Sequence, residues 1–211
     1  MNISLSHRTF CISLLMSMLI YFCFQNVNAQ RLEVHAIKDL STDENAHKAW
    51  GVGCTVELDQ WVKSTSFKVT FDWGIYKDKN LDIHPNFQRM GGSIAACYNI
   101  NFREKFTFQF GGEISYIHLK YSYIYDYDQI DSLLSKPLTL IQTGGFIGIA
   151  PYIGVQYKLT SQFNVTLNVV PTYMIPVHSK SSVFAMPPEY KKGIWLFPIR
   201  LGISYQLFKN K

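Results

Sequence analysis

Hydrophobic and polar residues alternate with a period of two along most of this chain. The clearest example lies between residues 94 and 116, where two alternating segments flank the charged turn Arg103-Glu104-Lys105. Alternation of this kind predicts a β-hairpin with one apolar face and one polar face. The pattern recurs along the chain, and no helical period of comparable strength appears after residue 30. The hydrophobic pattern therefore predicts an all-β fold.

Short turns and long polar segments alternate between the predicted strands. About eight strands fit the pattern, which is an even-numbered antiparallel meander with short turns at one end and long loops at the other. This layout predicts an eight-stranded antiparallel up-and-down β-barrel. The turns follow Trp61, Phe102 and Leu159, and the loops cover residues 38–48, 77–90, 119–143 and 177–193.

Two places in the pattern are irregular. The apolar phase slips between His118 and Tyr121, which predicts either a bulge or a strand that has left the apolar layer. Pro171 interrupts another strand, and we expect a bulge there because proline cannot donate to a β-ladder. The register of the neighbouring strands tests both expectations.

The orientation of the apolar face separates two kinds of barrel, a transmembrane barrel and a soluble lipocalin-like binder. Charged residues make up only 17% of the sequence and aromatic residues 15%, a balance that suggests a surface not meant for water. The polar face is rich in small residues such as Gly111, Gly154 and Gly202, which suit the crowded inside of a narrow barrel. We therefore expect a transmembrane barrel whose apolar face contacts lipid, with the soluble binder as an alternative.

Aromatic residues gather near both ends of the apolar face. Two such belts are typical of transmembrane barrels, where they lie at the level of the lipid headgroups. The predicted girdle consists of Trp50, Trp61, Trp73, Tyr116, Tyr157, Tyr173 and Trp195. The belts favour the transmembrane barrel and make outer-membrane lipid the partner of this surface.

Charged residues on the polar face need partners if that face lines the lumen, because an unpaired buried charge is costly. They are Glu57, Asp59, Lys68, Asp72, Glu113 and Arg200. We expect Arg200 to pair with Glu113, Glu57 or Asp72 as a structural plug. With about eight strands the interior is only wide enough for side chains. The sequence thus predicts a closed barrel rather than a constitutive channel.

The start of the chain has the composition of a secretory signal peptide. An apolar stretch is followed by the cleavage site Val27-Asn28-Ala29. We expect a signal peptide at residues 1–29 and a single outer-membrane β-barrel domain at residues 30–211. Cys54 and Cys97 then remain, and their phases predict two free thiols on opposite faces of the sheet.

The charge balance and the motifs exclude several classes of function. The formal net charge of +5 is too mild for a nucleic-acid binder, which needs clustered Lys and Arg. No G-x-S-x-G elbow, HExxH motif or Cys/His metal spacing occurs, so we predict no cofactor, metal site or catalytic residue. The alternative is an outer-leaflet enzyme acting on lipid A or phospholipid acyl chains, with His118 or His178 as its base.

The closing strand has the sequence GISYQLF and ends on the aromatic residue Phe208. Together with the signal peptide and the eight-stranded meander, it resembles the outer-membrane β-barrel family of the Bacteroidota, often labelled PorT-like. Phe208 matches the terminal aromatic residue of such proteins, although Lys209-Asn210-Lys211 follows it here. The resemblance implies an integral outer-membrane protein, in some members tied to type IX protein secretion. It carries over no catalytic residue.

These inferences combine into one functional expectation. We expect a non-enzymatic integral protein of the cell outer membrane, with both termini in the periplasm because they lie at the turn end of the barrel. Its role would be structural or interactive and accessory to protein secretion. A secretion or envelope protein would be its partner.

Overall fold

The computed structural model describes residues 30–40, 50–59, 64–77, 83–125, 138–181 and 193–207. The predicted signal peptide, Trp61 and Phe208 lie outside these residues. Regular structure in the described part of the chain is entirely β. A membrane-spanning helix, judged by length and hydropathy, is absent from it.

Ten strands form one closed antiparallel sheet. They are β1 (Gln30–Asp39), β2 (Trp50–Asp59), β3 (Thr65–Lys77), β4 (Ile83–Phe102), β5 (Phe106–Tyr125), β6 (Leu138–Lys158), β7 (Phe163–Val169), β8 (Thr172–Ser181), β9 (Ile194–Leu196) and β10 (Pro198–Gln206). β7 and β8 together make one barrel strand, as do β9 and β10, so the barrel has eight strands. β1 pairs with β2 and β10, and β5 pairs with β4 and β6, which closes the sheet on itself. The predicted fold is confirmed.

β4, β5 and β6 are about twice as long as the first two strands. They contain 20, 20 and 21 residues, against 10 in each of β1 and β2. The loops predicted at 77–90 and 119–143 are therefore too long, because residues 83–90, 119–125 and 138–143 are paired strand. The backbone hydrogen bonds of a strand do not depend on a regular alternation of its side chains. The loops predicted at 38–48 and 177–193 are also too long, because β1 extends to Asp39 and β8 extends to Ser181.

The phase slip after His118 is not a bulge. β5 pairs with β4 in one unbroken register from Phe106 to Tyr125. Ile117 and Leu119 face the interior, where they are 4% and 1% exposed, while His118 is partly exposed on the other face. The apolar residues change sides because the loop-side part of the lumen is itself apolar.

Pro171 lies in a break between β7 and β8 rather than at a bulge. β6 pairs with β7 and with β8 in the same register on either side of the break, so no extra residue is inserted. The register puts Pro151 of β6 opposite Pro171, and two facing prolines cannot donate backbone hydrogen bonds there. The register shift in this ladder comes later, between Gly145 and Phe146. The expected irregularity is present as a gap in the ladder.

Apolar side chains cover the outside of the barrel. Phe71 and Leu201 are 48% and 57% exposed, whereas Arg200, the neighbour of Leu201 in β10, is 3% exposed. A soluble lipocalin-like barrel would have the opposite arrangement. Cys54 is exposed and Cys97 is buried, and both thiols are free, as predicted.

Gly111 lies opposite the buried residues Cys97 and Tyr152, as predicted for the inward face, but its backbone is exposed. A Cβ added there would collide with the backbone oxygen of Ala96 on β4. A Cβ added to the next residue, Gly112, would meet only the backbone oxygen of Ala150, at 4.0 Å. Glycine at position 111 therefore allows the backbones of β4 and β5 to approach closely.

Gly111→Ala and Gly112→Ala form a matched pair of variants. We expect G111A to lower the free energy of unfolding by about 1–3 kcal/mol, because the added methyl group forces the two strands apart. G112A should change it by less than about 0.5 kcal/mol. Equilibrium denaturation of the refolded barrel in detergent, followed by tryptophan fluorescence, measures both. Equal losses would show that the spacing of β4 and β5 does not depend on Gly111.

Candidate functional site

Charged and polar side chains fill much of the lumen. Charges taken out of water need partners at hydrogen-bond distance. The buried acidic and basic residues of the described part of the chain are Glu33, His35, Asp39, Glu57, Lys68, Asp72, Arg89, Glu113 and Arg200. They are organised into connected networks of ion pairs and hydrogen bonds.

Arg200 on β10 holds two carboxylates inside the lumen. Its Nη1 donates to Glu113 Oε2 at 2.8 Å, and its Nη2 donates to Glu113 Oε1 at 3.0 Å. Nη2 and Nε also donate to Asp72 Oδ2 at 2.9 and 3.2 Å. The planar guanidinium thus binds one carboxylate bidentately and a second one along its side, a geometry that lysine cannot reproduce.

His35 on β1 links this cluster to a third carboxylate. Its Nε2 lies 2.9 Å from Asp72 Oδ1, and its Nδ1 lies 3.4 Å from Glu33 Oε1. Asn168 Nδ2 donates to the same Glu33 oxygen at 3.3 Å. The cluster therefore joins β1, β3, β5, β7 and β10 across the lumen, including strands that do not pair with one another.

A second network, centred on Lys68 and Glu57, lies nearer the turn end. Lys68 Nζ donates to Gln109 Oε1 at 2.7 Å and to the Tyr152 hydroxyl at 2.8 Å, and it lies 3.8 Å from Glu57 Oε2. Glu57 accepts hydrogen bonds from Gln109 Nε2 at 2.8 Å and from Gln156 Nε2 at 2.9 Å. Lys68 is 1% exposed, so its ammonium group is neutralised and solvated entirely by protein groups.

Among the described residues, the loop-side part of the lumen is mostly apolar. One ion pair lies there among the described residues, with Arg89 Nη1 2.8 Å from Asp39 Oδ2. The loop-side halves of the strands otherwise contribute the buried side chains of Ile37, Ile117, Leu119, Phe146, Met174 and Leu196. We call this set the apolar plug. It separates the charged networks from the loop end.

The structure brings together three of the four charges that we expected to form a plug around Arg200. Arg200, Asp72 and Glu113 form one cluster, whereas Glu57 belongs to the network of Lys68. Neither His35 nor Arg89 is among the predicted lumen residues. The sequence does indicate that His35 faces the lumen, because the alternation along β1 puts it on the polar face. It does not indicate this for Arg89, which lies in a segment that the polarity of the sequence predicts as a loop.

Aromatic side chains lie on the outer surface of the barrel. Trp50 and Trp195 are 63% and 52% exposed. The other predicted girdle residues are distributed as follows: Trp73, Tyr116 and Tyr173 are exposed, Tyr157 is partly exposed, and Trp61 is outside the described residues. The rings of Tyr173 and Trp195 lie 5.2 Å apart between centroids, and those of Phe106 and Tyr157 lie 4.9 Å apart. The rings thus form contacts between neighbouring strands.

His118, a candidate base, and the nearby hydroxyl residue Ser115 lie on opposite faces of β5. Ser115 is buried in the lumen and His118 is partly exposed on the other side. The register puts His118 and His178 on either side of Gly145. No group of three His, Cys, Asp or Glu side chains in the described ranges is arranged to hold a metal ion.

Removing the Arg200 guanidinium tests the central cluster. We expect Arg200→Met to lower the free energy of unfolding by about 3–5 kcal/mol, because it leaves two buried carboxylates without their cation. The triple variant R200M/D72N/E113Q has similar side-chain volumes but lacks these carboxylate charges, so it should recover most of the loss. Equilibrium unfolding in detergent measures both variants. A triple variant no more stable than R200M would show that charge pairing does not hold this cluster together.

The fold is similar to those of solved outer-membrane proteins. A major outer membrane protein of Thermus thermophilus matches 84% of this chain and 99% of its own, with a TM-score of 0.60 and 10% identity. Ail, the attachment invasion locus protein of Yersinia pestis, matches 86% of this chain and 100% of its own, with a TM-score of 0.56 and 10% identity. No protein-family model and no curated protein matches the sequence. At these identities the likeness establishes the fold, a closed eight-stranded barrel of the outer-membrane type.

Proposed function

We propose that this protein is an integral, non-enzymatic outer-membrane barrel that acts by presenting its loop end to a protein partner. The observation that carries the proposal is the inverted polarity of the barrel, with Ile114 and Ile149 64% and 59% exposed while Lys68 and Arg200 are buried. A continuous apolar surface of this kind would drive aggregation in water, whereas a bilayer solvates it. The turn end then faces the periplasm and holds both termini.

The filled lumen supports a role without transport. Lys68, Gln109 and Arg200 are almost completely buried and hydrogen-bonded across the lumen. With about eight strands a barrel interior is only wide enough for side chains. A conducting path would require the Arg200 pairs with Asp72 and Glu113 to separate in a site that offers no replacement solvent. We therefore assign the protein a structural or interactive role.

The long strands supply the surface for a partner. β4, β5 and β6 contain 20, 20 and 21 residues, and about 9–11 residues suffice for a tilted strand to cross a bilayer. Their loop-side halves would therefore continue beyond the membrane as a three-stranded sheet. Tyr121, Tyr123 and Tyr125 occupy alternate positions of β5 there, in register with residues 83–87 of β4. Tyrosine provides a large contact area at low entropic cost, which supports recognition by this sheet.

The resemblance to PorT-like barrels suggests the kind of partner. Some members of that family are tied to type IX protein secretion, so we propose a component of secretion or of the cell envelope. The sheet formed by β4, β5 and β6 is continuous with the barrel wall through unbroken β4–β5 and β5–β6 registers. Such a rigid support limits the conformational entropy lost when a partner binds.

Ile149→Arg tests whether the apolar surface is embedded in lipid. Ile149 pairs with Ile114 between β5 and β6, in the apolar belt. In phospholipid vesicles we expect I149R to lower the free energy of unfolding by about 2–4 kcal/mol, the cost of an arginine near the bilayer midplane. Leu159→Arg, at a residue 55% exposed beside the turn that joins β6 and β7, should cost only about 0–1 kcal/mol. Equal costs, or none for I149R, would contradict the embedding.

Replacing the three tyrosines of β5 tests the partner role. Cells that lack the gene would be complemented with the wild-type protein, with Y121S/Y123S/Y125S, or with the control I124S, which changes the same segment of β5 but keeps the three tyrosines. We expect the triple variant to reach the outer membrane in normal amount but to restore little secretion and to lose the partner that crosslinks to the wild type. I124S should behave as the wild type does. Full secretion with an unchanged crosslinking pattern in the triple variant would contradict the proposal.

A further inference from the structure

A polar cleft opens at the turn end of the lumen. Its volume is about 310 Å³, and its walls come from β1, from β4 and β5 with the turn between them, from β6 and β7 with the turn between them, and from β10. The charged residues that line it are Arg31, Arg103, Glu104, Lys105 and Lys158, and amide and hydroxyl side chains make up the rest of the lining. Cations therefore outnumber carboxylates by four to one in the cleft.

Arg31 forms part of the floor of the cleft. Its Nη1 donates to Gln156 Oε1 at 2.9 Å and lies 3.7 Å from Glu57 Oε2. Gln156, which is 4% exposed, connects Arg31 to the network of Lys68 and Glu57. The positive charge of Arg31 is thus directed toward the carboxylate beneath it. The other three cations determine the charge that the cleft presents to a ligand.

Lys105 and Lys158 are held side by side at the rim. The backbone N–H of Lys158 donates to the carbonyl oxygen of Lys105 at 2.8 Å. Within the described part of the chain, neither ammonium group forms an ion pair. Arg103, in the same turn as Lys105, has a φ of 60°, a left-handed conformation that favours glycine. The turn therefore keeps an arginine where glycine would fit the backbone better.

We propose that this cleft binds an oxyanion from the aqueous side, either a phosphate group or a pair of neighbouring carboxylates. A concave site lined by one sign of charge and walled by protein concentrates the electric field and attracts counter-ions. Arg and Lys side chains bind phosphate and carboxylate oxygens through charge-assisted hydrogen bonds. The cleft lies at the opposite end of the barrel from the tyrosine row, so this site is independent of the proposed partner role.

Aromatic rings separate the cleft from the surrounding lipid surface. The rings of Phe106 and Tyr157 lie 4.9 Å apart across β5 and β6, and those of Phe163 and Tyr205 lie 5.0 Å apart across β7 and β10. All four of these strands also form walls of the cleft. A ligand therefore reaches the cations from water, as a small phosphate compound or as an acidic segment of a soluble protein.

Isothermal titration calorimetry at low ionic strength, on the barrel in an uncharged detergent, tests the proposal. The probes are inorganic pyrophosphate and a tetra-aspartate peptide. We expect at least one of them to bind the wild-type protein, and K105Q/K158Q to weaken that binding at least about tenfold. The control K38Q/K120Q removes the same charge from the loop end and should leave the affinity unchanged. Circular dichroism checks that all variants fold.

Arg103→Gly separates binding from stability. It removes a cation from the cleft and relieves the left-handed backbone, so we expect weaker binding, by about threefold or more, with an unchanged or higher melting temperature. Binding of pyrophosphate alone would identify a small phosphate compound as the ligand source, and binding of the peptide would identify an acidic protein segment. No binding of either probe to the wild type, or equal weakening in K105Q/K158Q and K38Q/K120Q, would overturn the proposal.

Discussion

The small number of strands sets the conditions for everything inside this barrel. An eight-stranded barrel is too narrow for bulk water, so inward side chains must fill the lumen and satisfy one another. The Arg200 guanidinium meets this condition for Glu113 and Asp72, and the Lys68 ammonium meets it for Glu57. Each cation is surrounded by acceptors from several strands. The lumen charges are therefore neutralised only when the barrel wall is closed, because their partners on different strands meet only then.

Glycine makes room for these large polar side chains. A Cβ on Gly53 would touch His35 Nε2 and lie 2.5 Å from Asp72 Oδ1. A Cβ on Gly154 would lie 2.5 Å from Asn168 Oδ1, so the same arrangement recurs on β6. The glycines on the inward face are thus matched to particular neighbours. This pairing of large and small residues allows a narrow lumen to hold a connected hydrogen-bond network at normal packing density.

The period of two predicts the number of strands, their direction and the face on which most side chains lie, because one face of each strand has to contact an apolar environment. The same facing predicts that Arg200, Asp72 and Glu113 share one enclosed space. Alternation carries no information about which inward residues meet across the lumen, so from the sequence Glu57 is an equal candidate partner for Arg200, and only the register separates them.

The pattern predicts a loop at residues 83–90 because alternation weakens where a strand leaves the apolar layer. The pattern also predicts an irregularity at Ile117 and Leu119, because these apolar residues lie on the face that is polar elsewhere. The sequence does not show that the lumen itself becomes apolar at this level.

The two ends of the lumen differ, and this difference limits what the barrel can do. From the turn end, water meets the open cleft, then the network of Lys68 and Glu57, and then the cluster of Arg200. Beyond these lies the apolar plug, which offers little to replace the hydration of an ion. In the described part of the chain, side chains therefore fill the lumen up to the cleft, which opens at the turn end. With the path closed, the contacts that we propose with other molecules lie on the sheet of β4, β5 and β6 at the loop end, on the lipid-facing wall and in the polar cleft at the turn end.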